Sequence, residues 1–253
     1  MDLPRNRFKE RLLAGESQIG LWNSLPGSLV AEVLAGTGFD WVAIDTEHAP
    51  TDVPDTLAMM QAMAPYPVSA LVRPAANDPV LIKRVLDLGA QTLVIPYVQN
   101  ADEARAAVAA MRYAPAGMRG VAGMTRASRF GAVKDYAARA EEELCLIVQV
   151  ETTEAVDRIE EIAGVDGVHG LFIGPADLSA SMGLVGQLQH PQVVAKIEEA
   201  IRRIVATGKA AGILTVDRDF ALHCIALGST VTAVGVDLHL LMQGARSLAQ
   251  AFR

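Results

Sequence analysis

The chain has 253 residues, of which 51% are hydrophobic and 20% charged, and its net charge is −7. That apolar share is enough for one large core and excludes a disordered chain, while the acidic surplus repels phosphate backbones and argues against a nucleic-acid partner. No apolar run reaches the ~20 residues that a membrane span needs, and Met1–Glu10 lacks the apolar stretch of a secretory signal.

Eight short apolar runs are predicted as strands, each followed by a helical pattern. In chain order the strands are Ile19–Trp22, Asp40–Asp45, Val68–Arg73, Thr92–Tyr97, Cys145–Glu151, Gly170–Ile173, Gly212–Val216 and Val231–Val236. The helices between and after them are Ser28–Thr37, Pro54–Ala64, Pro79–Leu88, Ala101–Met111, Thr153–Ala163, Pro191–Thr207, Asp217–Leu227 and Leu238–Ala251. Ser28, Asp52, Asp78 and Thr153 read as helix starts, and Gly38, Gly89, Gly164, Gly208 and Gly228 as helix ends. The strands are nearly continuous in apolar residues, as parallel strands covered on both faces are. Eight such units in one domain spanning 1–253 predict an α/β (β/α)8 barrel, which takes about 250 residues. An open doubly wound sheet needs similar alternation, but no GxGxxG follows the first strand. Two connections, Gln99–Leu144 and Pro175–Ala211, are long, so the extra residues Arg112–Arg139 are expected to form a lid or a subunit contact. Cys145 and Cys224 sit in apolar runs with no CxxC pairing, which predicts reduced core thiols and a cytoplasmic protein.

Chemistry in a barrel sits at the C-terminal ends of the strands. Polar residues collect there. The second strand ends in Asp45-Thr46-Glu47-His48, the third in Arg73, the fifth in Gln149-Val150-Glu151, and the sixth runs into Gly174-Pro175-Ala176-Asp177. Gln149 and Glu151 lie two apart and so share one side of their strand, with Val148 and Val150 on the other. Glu151 and Asp177 end neighbouring strands. Two carboxylates so placed repel unless one is protonated or a cation lies between them, and a two-carboxylate site suits Mg²⁺, Mn²⁺ or Co²⁺. The competing reading makes both acids helix N-terminal residues held by the dipole. His48 has Asp45, Glu47 and Asp52 near it in sequence, acids that can orient an imidazole acting as a base. Arg73 ends an apolar strand and needs either a structural acid or a substrate oxygen as partner. Backbone N–H groups in Gly174–Asp177 can receive a substrate carboxylate. None of the five lysines, Lys9, Lys83, Lys134, Lys196 and Lys209, ends a predicted strand, so Schiff-base chemistry is not expected.

These stretches, with Gln18-Ile19-Gly20-Leu21-Trp22, Gly38-Phe39-Asp40-Trp41, Ala90–Pro96 and Arg119-Gly120, resemble the HpcH/HpaI class II pyruvate aldolases from about Phe8 to the C-terminus. The resemblance implies reversible cleavage of 4-hydroxy-2-oxo acids to pyruvate and an aldehyde through an enolate. It assigns Glu151 and Asp177 to the divalent metal ion, and His48, Arg73 and Asp87 to catalysis, with Asp87 supporting the histidine, sometimes from an adjacent subunit. Trp22, Asp45, Gln149, Gly174 and Ala176 are assigned to substrate binding. It also implies a homo-oligomer, a hexamer built as a trimer of dimers with the helix Leu238–Ala251 exchanged. Thr46 and Asn23-Ser24-Leu25-Pro26 depart from the family pattern near the expected pocket mouth, leaving the aldehyde partner open, along with whether Arg126 or Arg129 meets a distal carboxylate. Two other readings remain: a related barrel lyase acting on a CoA thioester, with Arg112, Arg119, Arg126 and Arg129 as its basic residues, and a non-catalytic oxo-acid-binding protein.

Overall fold

A computed structural model describes residues 1–253. Its strands are β1 Gln18–Asn23, β2 Trp41–Asp45, β3 Ser69–Arg73, β4 Thr92–Ile95, β5 Cys145–Val150, β6 Gly170–Ile173, β7 Ala210–Leu214 and β8 Ser229–Val236. All neighbours are parallel, and β8 pairs back onto β1, so the sheet closes into an eight-stranded barrel and the open-sheet alternative falls.

The helices are α1 Arg7–Leu13, α2 Ser28–Ala35, α3 Val53–Met63, α4 Pro79–Asp87, α5 Ala101–Met111, α6 Tyr136–Arg139, α7 Thr153–Asp157, α8 Ile159–Ala163, α9 Pro175–Ser181, α10 Pro191–Ala206, α11 Arg218–Ala226 and α12 Asp237–Gln250. Local chemistry explains most starts. Asp52 and Asp55 form a reciprocal capping box before α3, and Asp78 accepts from the amides of Val80 and Leu81. Two expected caps move. Ser28 is the first residue of α2 and caps nothing, and Thr152 rather than Thr153 caps α7. The single helix expected over Thr153–Ala163 breaks at Arg158, where φ −107° and ψ 18° leave the helical region. Gly38, Gly89, Gly208 and Gly228 end their helices with positive φ; Gly164 does so at φ −69°.

Alternation along the strands sorts two cores. Val42, Ile44, Val72, Leu93, Ile95, Leu146, Val148, Val150, Leu171 and Ile173 face the helices. Trp41, Ala43, Leu71, Val94, Cys145, Ile147, Phe172, Val231 and Ala233 fill the barrel interior. Asp45 and Arg73 continue the inward series two residues beyond Ala43 and Leu71, and Gln149 does so beyond Ile147. The inner layer thus fixes which strand-end residues point into the mouth.

The N-terminal end of the barrel is closed by α1, a helix the sequence pattern did not reveal. Asn6 caps it by accepting from the amide of Lys9, and Phe8 and Leu12 enter the inner core, Phe8 meeting Trp41 edge-on at 6.3 Å. Trp41 in turn lies against Gly20, where an added Cβ would fall 2.1 Å from its ring. The segment after α5 docks at this same end: Met118 donates to Ala109 O and Ala127 to Asp87 O. Since α4 and α5 run back from the mouth, the Arg112–Arg139 excursion lies at the opposite end from the strand C-termini, and the lid reading is corrected for the single chain. Gly20→Ala should lower the stability of the fold by about 1–3 kcal/mol through overpacking, read as an earlier urea midpoint with an unchanged slope.

Candidate active site

The C-terminal ends of β2, β3 and β5 carry one connected polar network, and Asp177, just past β6, adds its charge beside Glu47 and Glu151. Arg73 donates from Nε to Asp45 Oδ1 at 2.9 Å and from Nη2 to Asp45 Oδ2 at 2.7 Å, a fork matched to a carboxylate. Its Nη1 forms an ion pair with Glu47 Oε2 at 2.8 Å and reaches Gln149 Oε1 at 3.4 Å. The guanidinium lies 4.9 Å from the Trp22 ring centre, and Trp22 rests on Phe172 at 5.5 Å. Both possible roles of Arg73 therefore meet at one place: it has acid partners, and those partners line the mouth.

Burial raises the Asp45 carboxyl, but the hydrogen bonds and charge of Arg73, aided by the backbone of Glu47 and His48, outweigh it and hold this group below its ordinary value. Glu47 goes the other way. Its burial, with the nearby charges of Asp45 and Asp177, lifts it above the ordinary range despite Arg73 and His48.

Glu151 is 3% exposed. Gln149 Nε2 donates to its Oε2 at 3.0 Å, and the amide of Tyr97 to its Oε1 at 2.8 Å. Burial first, and the charge of Asp177 second, push the Glu151 carboxyl up to about 7. Gly174 makes room for it, since a Cβ there would stand 2.3 Å from Glu151 Oε2. Pro175 opens α9, so Gly174, Ala176 and Asp177 sit at the start of a helix whose first-turn amides have no intrahelical acceptor. Ala176 and Asp177 are exposed to the mouth. His48 has its ring largely in solvent, with Nε2 3.8 Å from Glu47 Oε1.

Four carboxylates, Asp45, Glu47, Glu151 and Asp177, thus gather at a mouth that holds one guanidinium, which pairs with the first two. This surplus of carboxylate oxygens, two of them lifted towards neutrality, has the chemistry of a site for a hard divalent cation. No group of three or more His, Cys, Asp or Glu side chains is arranged to hold a metal ion by itself. Two protein carboxylates would leave the remaining positions to water and substrate, as a catalytic cation requires.

Asp87 is the expected residue that the fold does not bring here. It ends α4 at the opposite end of the barrel, paired with Arg119 Nη2 at 2.8 Å, and cannot support His48 of its own chain. Arg126, which donates to Leu88 O at 2.6 Å, and Arg129 line a cavity at that same end, so neither reaches this mouth within one chain. Glu47 and Tyr97 were not assigned to the site by the sequence. Glu47 stands two residues after Asp45, the same spacing that singled out Gln149 and Glu151; nothing in the sequence marked the Tyr97 amide.

The family model for HpcH/HpaI aldolase/citrate lyase matches residues 18–244. The chain belongs to this family. It is 61% identical over 252 residues to a protein of Rhizobium etli named pyruvate aldolase, covering 100% of this chain and 99% of that one. It is 55% identical over 249 residues to a 4-hydroxy-2-oxo-heptane-1,7-dioate aldolase of Salmonella paratyphi C, covering 98% of this chain and 95% of the other. The crystal structure of a family member from Burkholderia cenocepacia J2315 superposes with a TM-score of 0.94 at 40% identity, over 98% of this chain and 99% of that one.

Without a cation, the raised Glu151 binds a proton in the folded state that the unfolded chain has already released, so this group makes stability fall as pH rises from about 4.5 to about 7. Below about 7 that proton would compete with a cation held by Glu151. Calorimetric titration of metal-free protein with Mn²⁺ should show affinity dropping by roughly tenfold per pH unit below 7, and Glu151→Gln should abolish binding.

Proposed function

We propose that this protein is a divalent-metal-dependent aldolase, a carbon–carbon lyase that reversibly cleaves 4-hydroxy-2-oxo acids into pyruvate, or a close 2-oxo acid, and an aldehyde. The observation that carries this reading is the pairing of a surplus-carboxylate pocket at Glu151 and Asp177 with a fixed guanidinium, Arg73, at one barrel mouth. Glu151 and Asp177 would hold Mg²⁺, Mn²⁺ or Co²⁺, with Gln149 fixing one oxygen of Glu151. When bound, the cation would supply Lewis-acid polarisation of a substrate oxygen.

The chain's own residues do the rest. Arg73 is locked by Asp45 and Glu47, so its charge faces oxygen developing on the substrate without reorganising. The amides beside Gly174 and Ala176 receive the oxo-acid carboxylate. His48, with its ring free of intrachain hydrogen bonds and at the solvent edge, takes the proton from the pyruvate methyl group or, in cleavage, from the 4-hydroxyl. Trp22, seated on Phe172, forms an apolar floor beside Arg73. The CoA-thioester alternative loses support from placement. Arg119 is paired with Asp87, Arg112 with Glu141 and Asp166, and Arg126 and Arg129 face the far end.

We further infer a homo-oligomer, with α12 exchanged in a hexamer assembled as a trimer of dimers. Beyond Asp237, which anchors the helix by accepting from Asn23 and the amides of Ser24 and Leu25, every residue of α12 is exposed. Leu238, Leu240, Leu241, Met242 and Leu248 would leave an apolar helix in water, a cost that a second copy removes. Met118, Val121, Met124 and Phe130 form a second exposed apolar group at the other end. In such an assembly Asp87 can meet His48 only across a subunit boundary. No helix is long and apolar enough to cross a membrane, and the buried free thiols Cys145 and Cys224 favour a cytoplasmic setting.

EDTA should abolish cleavage, and Mn²⁺, Co²⁺ or Mg²⁺ should restore it; full turnover in a verified metal-free sample would reject the reading. Arg73→Ala should lower kcat by roughly 10²–10³-fold while metal affinity changes little, checked by steady-state kinetics alongside calorimetry. Leu241→Lys should shift the particle to a smaller mass in light scattering.

A further inference from the structure

Tyr97 is held in a conformation that costs a tyrosine free energy. Its φ is 55°, in the left-handed region that favours glycine, and the residue follows Pro96 just past the end of β4. Pairing with β5 resumes at the next residue, where Val98 N–H donates to Gln149 O at 3.0 Å. The amide of Tyr97 instead turns to Glu151 Oε1 at 2.8 Å. The backbone contact explains the conformation but not the side chain. Glycine would donate the same hydrogen bond without strain, and asparagine with little. Yet the position carries a large aromatic residue that is 56% exposed, beside a buried carboxylate of the site. Strain retained with a side chain that packs into no core points to a use for that side chain.

Its place limits the use. The residue lies at the C-terminal mouth, its backbone beside the strand that carries Gln149 and Glu151 and its side chain half-exposed there. The oxo-acid half of the substrate is accounted for by Arg73, the α9 amides and the carboxylate pair. The other half has Trp22 as floor and no assigned wall. We infer that the Tyr97 ring forms a wall of the aldehyde subsite and favours aldehydes with an aryl tail, which can lie against its face. This rests on the aldolase reading above. The left-handed backbone, clamped by Glu151, fixes the base of that wall: the carboxylate beside the oxo-acid half also sets where the side chain begins.

The test uses wild type, Tyr97→Phe and Tyr97→Asn, each loaded with Mn²⁺. Asparagine tolerates the left-handed region, so it removes the ring while keeping the backbone, and thermal unfolding checks that it folds. Condensation of pyruvate with benzaldehyde is compared with condensation with glycolaldehyde, and proton–deuterium exchange of the pyruvate methyl group is followed by NMR without aldehyde. Tyr97→Asn should raise KM for benzaldehyde by about threefold to tenfold, with glycolaldehyde changing by less than about twofold, and Tyr97→Phe should stay near wild type. Equal changes for both aldehydes, no change for either, or loss of benzaldehyde preference in Tyr97→Phe would overturn the inference while leaving the aldolase reading intact. A changed particle mass for Tyr97→Asn would assign the ring to a contact between copies and also overturn it. A wild type that binds pyruvate and exchanges none of its methyl protons would overturn the aldolase reading and this inference together.

Discussion

Four carboxylates and one guanidinium meet at the mouth of this barrel, and that imbalance sets the electrostatics of the site. Arg73 cannot neutralise Asp45, Glu47, Glu151 and Asp177 at once. Its two best hydrogen bonds go to Asp45, which stays ionised, and Glu151 receives amide donors and no close cation. The result is a division of labour between two acids in one pocket. Asp45 is committed to holding Arg73 in place; Glu151, lifted to about 7, is left free to exchange its proton, as the proposed metal site requires.

The scaffold supplies this arrangement through a packing rule. Trp41 and Ala43 lead inward to Asp45, Leu71 to Arg73, and Ile147 to Gln149. The apolar inner layer ends where the polar layer begins, so Asp45, Arg73 and Gln149 stand on strands above Trp22 and Phe172, while Glu47 and Glu151 follow within two residues of a strand end. Glycine appears where that floor or its lining needs close approach: Gly20 admits the Trp41 ring, and Gly174 admits the Glu151 carboxylate. Closing the other end with Phe8 and Leu12 of α1 keeps water out of the inner core from below. Order at the mouth therefore depends on side chains some distance from it.

The two ends of the barrel are unlike in a way that bears on assembly. The mouth is acidic, while the opposite end collects Arg119, Arg126 and Arg129 with exposed Met118, Val121, Met124 and Phe130. Arg119 is buried between Tyr113 and Tyr136 and tied to Asp87, so this end is built, not frayed. Together with the apolar residues of α12, it leaves apolar surface in water at both ends, which the proposed homo-oligomer would cover.

The sequence by itself determined the barrel and most of its rim. Periodicity placed eight strands within a residue or two, because parallel strands buried on both faces must be continuously apolar. Strand-end polarity then found Asp45, Arg73, Gln149, Glu151 and Asp177, because a charge that interrupts such a run is costly without a purpose. What the sequence left open depended on contacts between distant segments. The helix α1 is too short and too polar on its outer face to stand out until Trp41 gives Phe8 a partner. Glu47 gained its role only when the fold set it 2.8 Å from Arg73. Asp87 looked available to His48 until the direction of α4 put it at the far end. The left-handed turn at Tyr97 has no local signature, since it is imposed by a carboxylate 54 residues further along the chain. Pattern along the chain reports burial, which is local to each element; partners are decided by closure of the barrel, which no single segment encodes.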